Sequence, residues 1–261
     1  MFFKWLKHRK RKRLLSQPFP KSWLDILRRN VRHYLLLTAT EQAKLRDDLR
    51  ILIAEKNWEG CRGLELTPEI KVTIAGQTAL LTLGFENQHF DMIQTILVYP
   101  DAYVADGHSI TKGGLMLEGK SHREGEAWYR GPVVFSWADA LAGGRDESDG
   151  DNLVIHEFAH QLDMLNGRDI DGTPNLATQN QYERWQVVMQ ATSQELEREC
   201  ALGQPTLLDC YGTTDLGEFF AVSAECFFER PVAMKKRHPD WYNVLREYFN
   251  QDPAQRNELS N

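Results

Sequence analysis

Apolar and polar positions divide the chain into a helix-rich first third, a middle of short strands and a helical remainder. Ser22 can cap a helix running to about Leu36. Thr38-x-x-Glu41 has capping-box spacing and opens a second helix, ending near Lys56. Thr67-Pro68 starts a third, which Gly84 closes. The apolar runs then shorten, and Gly, Pro and Asp separate them. Thr95–Tyr99, Ala102–Ala105, Leu115–Gly119 and Pro132–Trp137 read as strands, and Ala142–Gly150 reads as a loop. Helices resume at Tyr182–Cys200 and Asp240–Asn250. Two further helices carry the heaviest apolar faces. In one, Leu153, Phe158, Leu162 and Leu165 line a buried side, with Asn152 or Asp151 as cap and Gly167 at the end. In the other, Phe219, Phe220, Phe227 and Phe228 lie between Asp215 and a stop at Pro231. This layout predicts an α+β fold with a small mixed sheet and an α-rich N-terminal part. One domain is expected over residues 21–250, helical over about 21–90, with no repeat and no low-complexity linker.

The helix after Asn152 contains His156-Glu157-Phe158-Ala159-His160, the pattern HExxH. Helical residues four apart sit one above the other, about 6 Å along the axis, so the two imidazoles can converge on one ion. Glu157 can then reach a water rather than the metal, the general-base position of zinc metallopeptidases. An amphipathic helix with two ordinary histidines is the competing reading. A zinc site also needs a third protein ligand. The extended three-histidine pattern does not fit, because Asp163 and Asn166 hold the positions of its glycine and last histidine. The segment from Asp215 to Pro231 offers Glu218 and Glu225, seven apart on a face with small apolar Ala221 and Val222 between them. Glu218 also fits a capping box with Asp215, and Glu225 also fits a carboxylate that orients a ligating histidine. Asp215 is a weaker ligand candidate, and Asp163 reads as a carboxylate that either supports a metal ligand or anchors the helix. Tyr211 can donate a hydrogen bond to a developing oxyanion, or be a half-buried loop tyrosine.

The segments HEFAHQLDMLNG and YGTTDLGEFFAVSAECFFERP resemble those of the Mlc titration factor A family of zinc metallopeptidases. HEF-x-H with Tyr-x6-Glu-Phe-Phe-Ala is also similar to the catalytic domain of lethal-factor-type gluzincins. Stretches at Leu52–Lys56, Ile74–Gly84, Ile96–Pro100 and Gly131–Trp137 fit the same family, so the resemblance runs over roughly residues 20–250. It implies a zincin-like fold with a catalytic part over about residues 91–250. It implies one zinc ion held by His156, His160 and Glu218, with Glu157 as general base and Tyr211 as transition-state stabiliser. It further implies aminopeptidase action on a peptide substrate, and regulation of sugar phosphotransferase genes through binding the Mlc repressor. The alternative is a repressor-sequestering protein whose zinc site is structural or vestigial. In such enzymes an edge strand commonly pairs with an extended substrate, and Pro132–Trp137 is the candidate here.

Charge and cysteine content narrow the setting. Residues 1–13 hold seven Lys/Arg and no acid, which leaves 24 basic against 37 acidic residues in the remainder. An acidic body argues against nucleic-acid binding. The basic start, residues 1–20, reads as a mobile segment; its Phe2, Phe3, Trp5 and Leu6 also suit an anionic membrane surface, the less favoured reading. Residues 251–261 read as a C-terminal tail. Cys61, Cys200, Cys210 and Cys226 have no metal-type spacing and are expected as reduced thiols. With no secretory signal and no apolar run of about 20 residues, a cytoplasmic location is expected.

Overall fold

A computed structural model describes residues 2–86, 88–101, 104–105, 108–111, 114–115, 131–167 and 170–260. The first third is helical: α1 (Phe2–Leu15), α2 (Lys21–Asn30), a 3-10 turn (Arg32–Leu36), α3 (Ala39–Glu55) and α4 (Pro68–Leu81). The cap of α2 is Pro20, and Ser22 lies inside the helix, which stops at Asn30 and continues only as the 3-10 turn. The capping box of α3 is formed: Thr38 Oγ1 accepts from Glu41 N, and Glu41 Oε2 accepts from Thr38 N at 2.9 Å. Thr67 caps α4, which ends three residues before Gly84.

Strand β1 (Asn57–Gly60) escaped the sequence reading because it is short and three of its four residues are exposed. It pairs in parallel with β2 (Thr95–Tyr99), which pairs in parallel with β6 (Val133–Ser136), so β2 is central and β6 lies at one edge. A separate antiparallel set joins β3 (Val104–Ala105), β4 (His108–Thr111) and β5 (Gly114–Leu115). The remainder of the expected strands Ala102–Ala105 and Leu115–Gly119 lies outside the described residues.

The stretch Ala142–Gly150 is a loop only in its second half. Helix α5 (Trp137–Arg145), capped by Ser136, runs through Gly143 and Gly144. A Cβ on Gly144 would stand 2.3 Å from the Asn30 carbonyl oxygen, and one on Gly143 would stand 3.0 Å from Asn152 Cα. The two glycines therefore mark close packing rather than flexibility. Helices α6 (Leu153–Asp163), α7 (Gln179–Ala201), α8 (Leu216–Glu229), α9 (Pro231–Arg237), α10 (Pro239–Phe249) and α11 (Pro253–Ser260) complete the chain. A short 3-10 turn after α6 ends on Gly167, whose φ of 74° is the left-handed conformation glycine adopts without penalty.

The core forms around α8, buried from Gly217 to Glu229. Phe219 stacks on Trp241 with ring centroids 5.6 Å apart, and Trp185 meets Trp241 edge-on at 4.9 Å. The Trp241 indole donates to Ser223 Oγ at 2.9 Å, and the Trp185 indole donates to the Gly172 carbonyl at 2.9 Å. On the sheet side, Phe158 of α6 lies between Phe90 and Phe135, at 4.7 and 5.9 Å.

Both chain ends depart from the expected loose segments. Helix α1 is tied to α3 through Arg11 and Glu55 at 2.6 Å. In α11, Ala254 is buried and the Arg256 guanidinium pairs with Glu41. The cysteines also depart from expectation: Cys200 and Cys210 form a disulfide, with Cys61 and Cys226 free. Local spacing could not show this pair, because a turn after α7 folds Cys210 back against the helix end. Among the described residues, no helix is long and apolar enough to cross a membrane.

His33 joins the N-terminal helices to α8. Its Nε2 donates to the Phe228 carbonyl at 3.2 Å, and its buried Nδ1 has no partner. Burial lowers its pKa from 6.5 to about 4. The neutral ring thus contributes stability that is complete above pH 6.5 and is lost as pH falls through about 4. At 1.36 kcal/mol per pH unit the loss is about 3 kcal/mol. His33→Gln, which keeps a donor for the carbonyl, should flatten the denaturation free energy between pH 6.5 and 4 by about that amount. An unchanged slope would assign the acid sensitivity to other groups.

Candidate metal centre

Two helices supply the site. Helix α6 starts where Asn152 accepts from Ile155 N at 3.0 Å through its side chain. One turn on, His156 is buried; another turn on, His160 is 9% exposed. Helix α8 starts at Asp215, whose Oδ1 accepts from Glu218 N at 2.9 Å. Asp215 is therefore a cap and not a ligand candidate. The reciprocal half of a capping box is given up, because the Glu218 carboxylate turns to the histidines instead.

His156 Nε2 lies 3.0 Å from Glu218 Oε2 and 3.2 Å from His160 Nε2, and His160 Nε2 lies 3.4 Å from the same carboxylate oxygen. These three side chains can hold a metal ion, their ligand atoms lying within 4.8 Å of one another. Ligands about 2.0–2.1 Å from one tetrahedral ion stand about 3.3–3.4 Å apart, close to the separations seen. The donor chemistry fits too. His156 Nδ1 is engaged by Glu225 Oε1 at 2.8 Å, which keeps a proton on that nitrogen and leaves Nε2 as the one that would ligate a metal ion. A proton on Nε2, donated to Glu218 Oε2 at 3.0 Å, gives the cationic ring, and a metal ion in that proton's place would restore the neutral one.

The electrostatics follow from this crowding. Burial alone would lower His156, but Glu218 and Glu225 on its two nitrogens prevail and raise it to about 10. Burial would raise Glu218, but the two imidazoles hold it at about 2. Glu157 has one carboxylate oxygen buried without a partner. Burial outweighs the nearby imidazoles and pushes its carboxyl up to about 7.

A set of groups behind the histidines fixes the geometry. Glu225 Oε2 accepts from Asn152 N at 2.5 Å. One turn further along α8, Glu229 Oε1 accepts from Asn152 Nδ2 at 2.9 Å and Oε2 accepts from Gly150 N at 3.0 Å. Burial pushes Glu229 well above its ordinary value. Asn152 also donates to the Gly143 carbonyl at 3.0 Å. The roles of Glu229 and of the Asn152 amide were missed in the sequence. The available signal was the spacing of Glu218, Glu225 and Glu229, which places all three on one face of an otherwise apolar helix. Asp163 does anchor: its Oδ2 accepts from Gly172 N at 2.7 Å, and burial raises its carboxyl to about 6.

Tyr211 stands at the edge of this cluster. It lies in a 3-10 turn (Cys210–Thr213) capped by Asp209, its ring 6.2 Å from that of His156. Its hydroxyl donates to Glu218 Oε1 at 3.5 Å. The disulfide ties the residue before it to the end of α7. The five sequence candidates are thus gathered in one place, from two helices and a short turn.

Two imidazoles and a carboxylate converging from two helices, with a further carboxylate beside them, make the site of a metallopeptidase-type protein. Comparison with known proteins gives the family. Residues 5–250 match the model of the glucose-regulated metallo-peptidase M90 family, and the chain belongs to it. It is 35% identical over 250 residues to an uncharacterized protein of Synechocystis sp., covering 95% of this chain and 90% of that one. It is 33% identical over 222 residues to Mlc titration factor A of Klebsiella pneumoniae, covering 84% and 83%. With Mlc titration factor A of Yersinia enterocolitica the identity is 30% over 224 residues, covering 84% and 82%.

Both oxygens of Glu225 face N–H donors, so an amide there must turn its own NH2 toward one of them. Glu225→Gln should lower metal affinity by about 10–100-fold, read by competition with a chromophoric chelator. Glu218→Ala should lower it further than Glu225→Ala does. The reverse order would move the third ligand to Glu225.

Proposed function

We propose that the protein is a zinc-dependent peptidase of aminopeptidase type that also regulates glucose phosphotransferase gene expression by binding the Mlc repressor. The observation carrying the catalytic part is Glu157, with a buried unpartnered oxygen beside two imidazoles and a carboxylate that converge on one point. His156, His160 and Glu218 would hold the zinc ion, which would supply Lewis acidity toward a water and the attacked carbonyl.

The chain's own groups do the rest. Glu157 accepts a proton from the attacking water and returns it to the leaving amine, a task for which a carboxyl near neutrality is suited. Tyr211 donates its hydroxyl to the attacked oxygen, a contact typically worth about 2.7–4 kcal/mol of barrier. Glu225 holds His156 in the tautomer that presents Nε2. The edge strand β6 is the segment beside which an extended peptide is expected to lie.

A second reading has its own support. Several relatives carry the name Mlc titration factor A, and titration is stoichiometric. In that reading the chain sequesters the repressor, and the metal cluster serves to brace α6 against α8.

Elemental mass spectrometry of the purified protein should find about one zinc per chain, lost in His156→Ala. Glu157→Ala should keep zinc and lose peptide turnover. Normal turnover in that variant would remove Glu157 from the base role. If the same variant still binds and inactivates the repressor, regulation does not require proteolysis; loss of both with the fold intact would make cleavage the means.

A further inference from the structure

Helix α1 divides its cations between two directions. Inward, Lys7 Nζ meets Asp91 at 2.7 Å, and Arg11 donates to Glu55 Oε1 through Nε at 2.7 Å and to Asp91 through Nη2 at 2.9 Å. At the end of the helix, buried Arg50 donates to the Leu14 carbonyl and, at 2.9 Å, to that of Gln17. These bonds lay the helix lengthwise on the body and hold it there. Outward it presents Arg9, Lys10, Lys12, Arg13 and Trp5, all exposed. The Arg9 guanidinium lies over the Trp5 ring at 5.5 Å. The helix contains no acid, and these four charges meet no carboxylate among the described residues.

We propose that this outward face docks on an anionic lipid bilayer. The partner has to be anionic, because four cations that meet no carboxylate among the described residues are held on one side of a helix whose opposite side is already neutralised. It has to be broad and shallow. A nucleic-acid-reading helix enters a groove about 12 Å wide, which α1 cannot do while its inner side lies along α3. A planar surface can meet all four cations at once. Trp5 on the same side suits the headgroup level, where an indole's apolar ring and N–H are both accommodated. The Lys and Arg stems cover apolar surface while their charges reach phosphate. The acidic remainder of the chain does not prevent this, because charges beyond a Debye length of about 8–10 Å are screened. The assignment is independent of the metal site and would bring that site to a membrane surface.

Vesicle co-sedimentation of the full chain tests it. The unchanged protein should bind vesicles of phosphatidylglycerol and phosphatidylcholine at 0.1 M salt and release them at 0.5 M, a range over which the Debye length shortens about twofold. It should not bind pure phosphatidylcholine. Reversing Arg9, Lys10, Lys12 and Arg13 to Glu should cut partitioning at least tenfold with the thermal midpoint unchanged, since none of the four pairs with a carboxylate among the described residues. Trp5→Ala should cost a smaller factor. Equal binding to neutral and anionic vesicles, or no loss on charge reversal, would overturn the proposal. The salt titration needs no variant, so it decides even if the reversed helix fails to fold. Tighter binding to duplex DNA than to vesicles at matched phosphate would assign the face to nucleic acid and equally overturn it.

Discussion

The structure depends on one costly placement: three carboxylates on the buried side of α8, facing the start of α6. Glu218, Glu225 and Glu229 are at most 8% exposed, in a helix otherwise made of Leu, Phe, Ala, Val, Ser, Cys and Gly. A charge in such surroundings is tolerated only where hydrogen-bond donors meet it. The donors come from α6 and the residues before it: the His156 ring, the Asn152 backbone and side chain, and the Gly150 backbone. The two helices consequently have one register in which all three acids are satisfied. A shift of either by one residue would strand at least one of them.

This register explains features that look unrelated. Gly143 and Gly144 bring α5 against Asn152 and Asn30, and the Asn152 amide reaches the Gly143 carbonyl. The aromatic layer of Trp185, Phe219 and Trp241 packs the side of α8 away from the acids. Tyr211 reaches Glu218 because its turn begins at a cysteine joined to the end of α7.

Much of this was legible in the residues, and the remainder was hidden for a common reason. Caps are local, so Thr38, Thr67 and Asp215 could be read directly, and Asn152 as one of two candidates beside Asp151. The HExxH pair was readable because a helix turns its spacing into proximity. What could not be read was pairing across long separations. The Cys200–Cys210 bond depends on where a turn points. Strand β1 is strand because β2 lies beside it, not because Asn57-Trp58-Glu59-Gly60 favours one. The docking of α1 and α11 rests on Arg11 with Glu55 and Arg256 with Glu41, partners 44 and 215 residues apart. Glu218 lies between these cases. Its sequence context allowed a cap or a ligand, and only the position of α6 beside it turns the carboxylate to the histidines.

The same cost bears on what the site is for. Replacing a buried ion pair by well-packed apolar groups is often neutral or stabilising, so burial of charge is poor evidence of a stability role. An apolar α8 packed on an apolar α6 would hold this core at least as well as the present one. The three acids and two histidines instead fix two imidazole nitrogens and one carboxylate oxygen to within a few tenths of an ångström of the separations one ion requires. That positioning is what a metal site gains from its surrounding hydrogen bonds. It favours a working metal centre over a brace between helices, since a brace would not need Glu157 left beside it with an oxygen unpartnered.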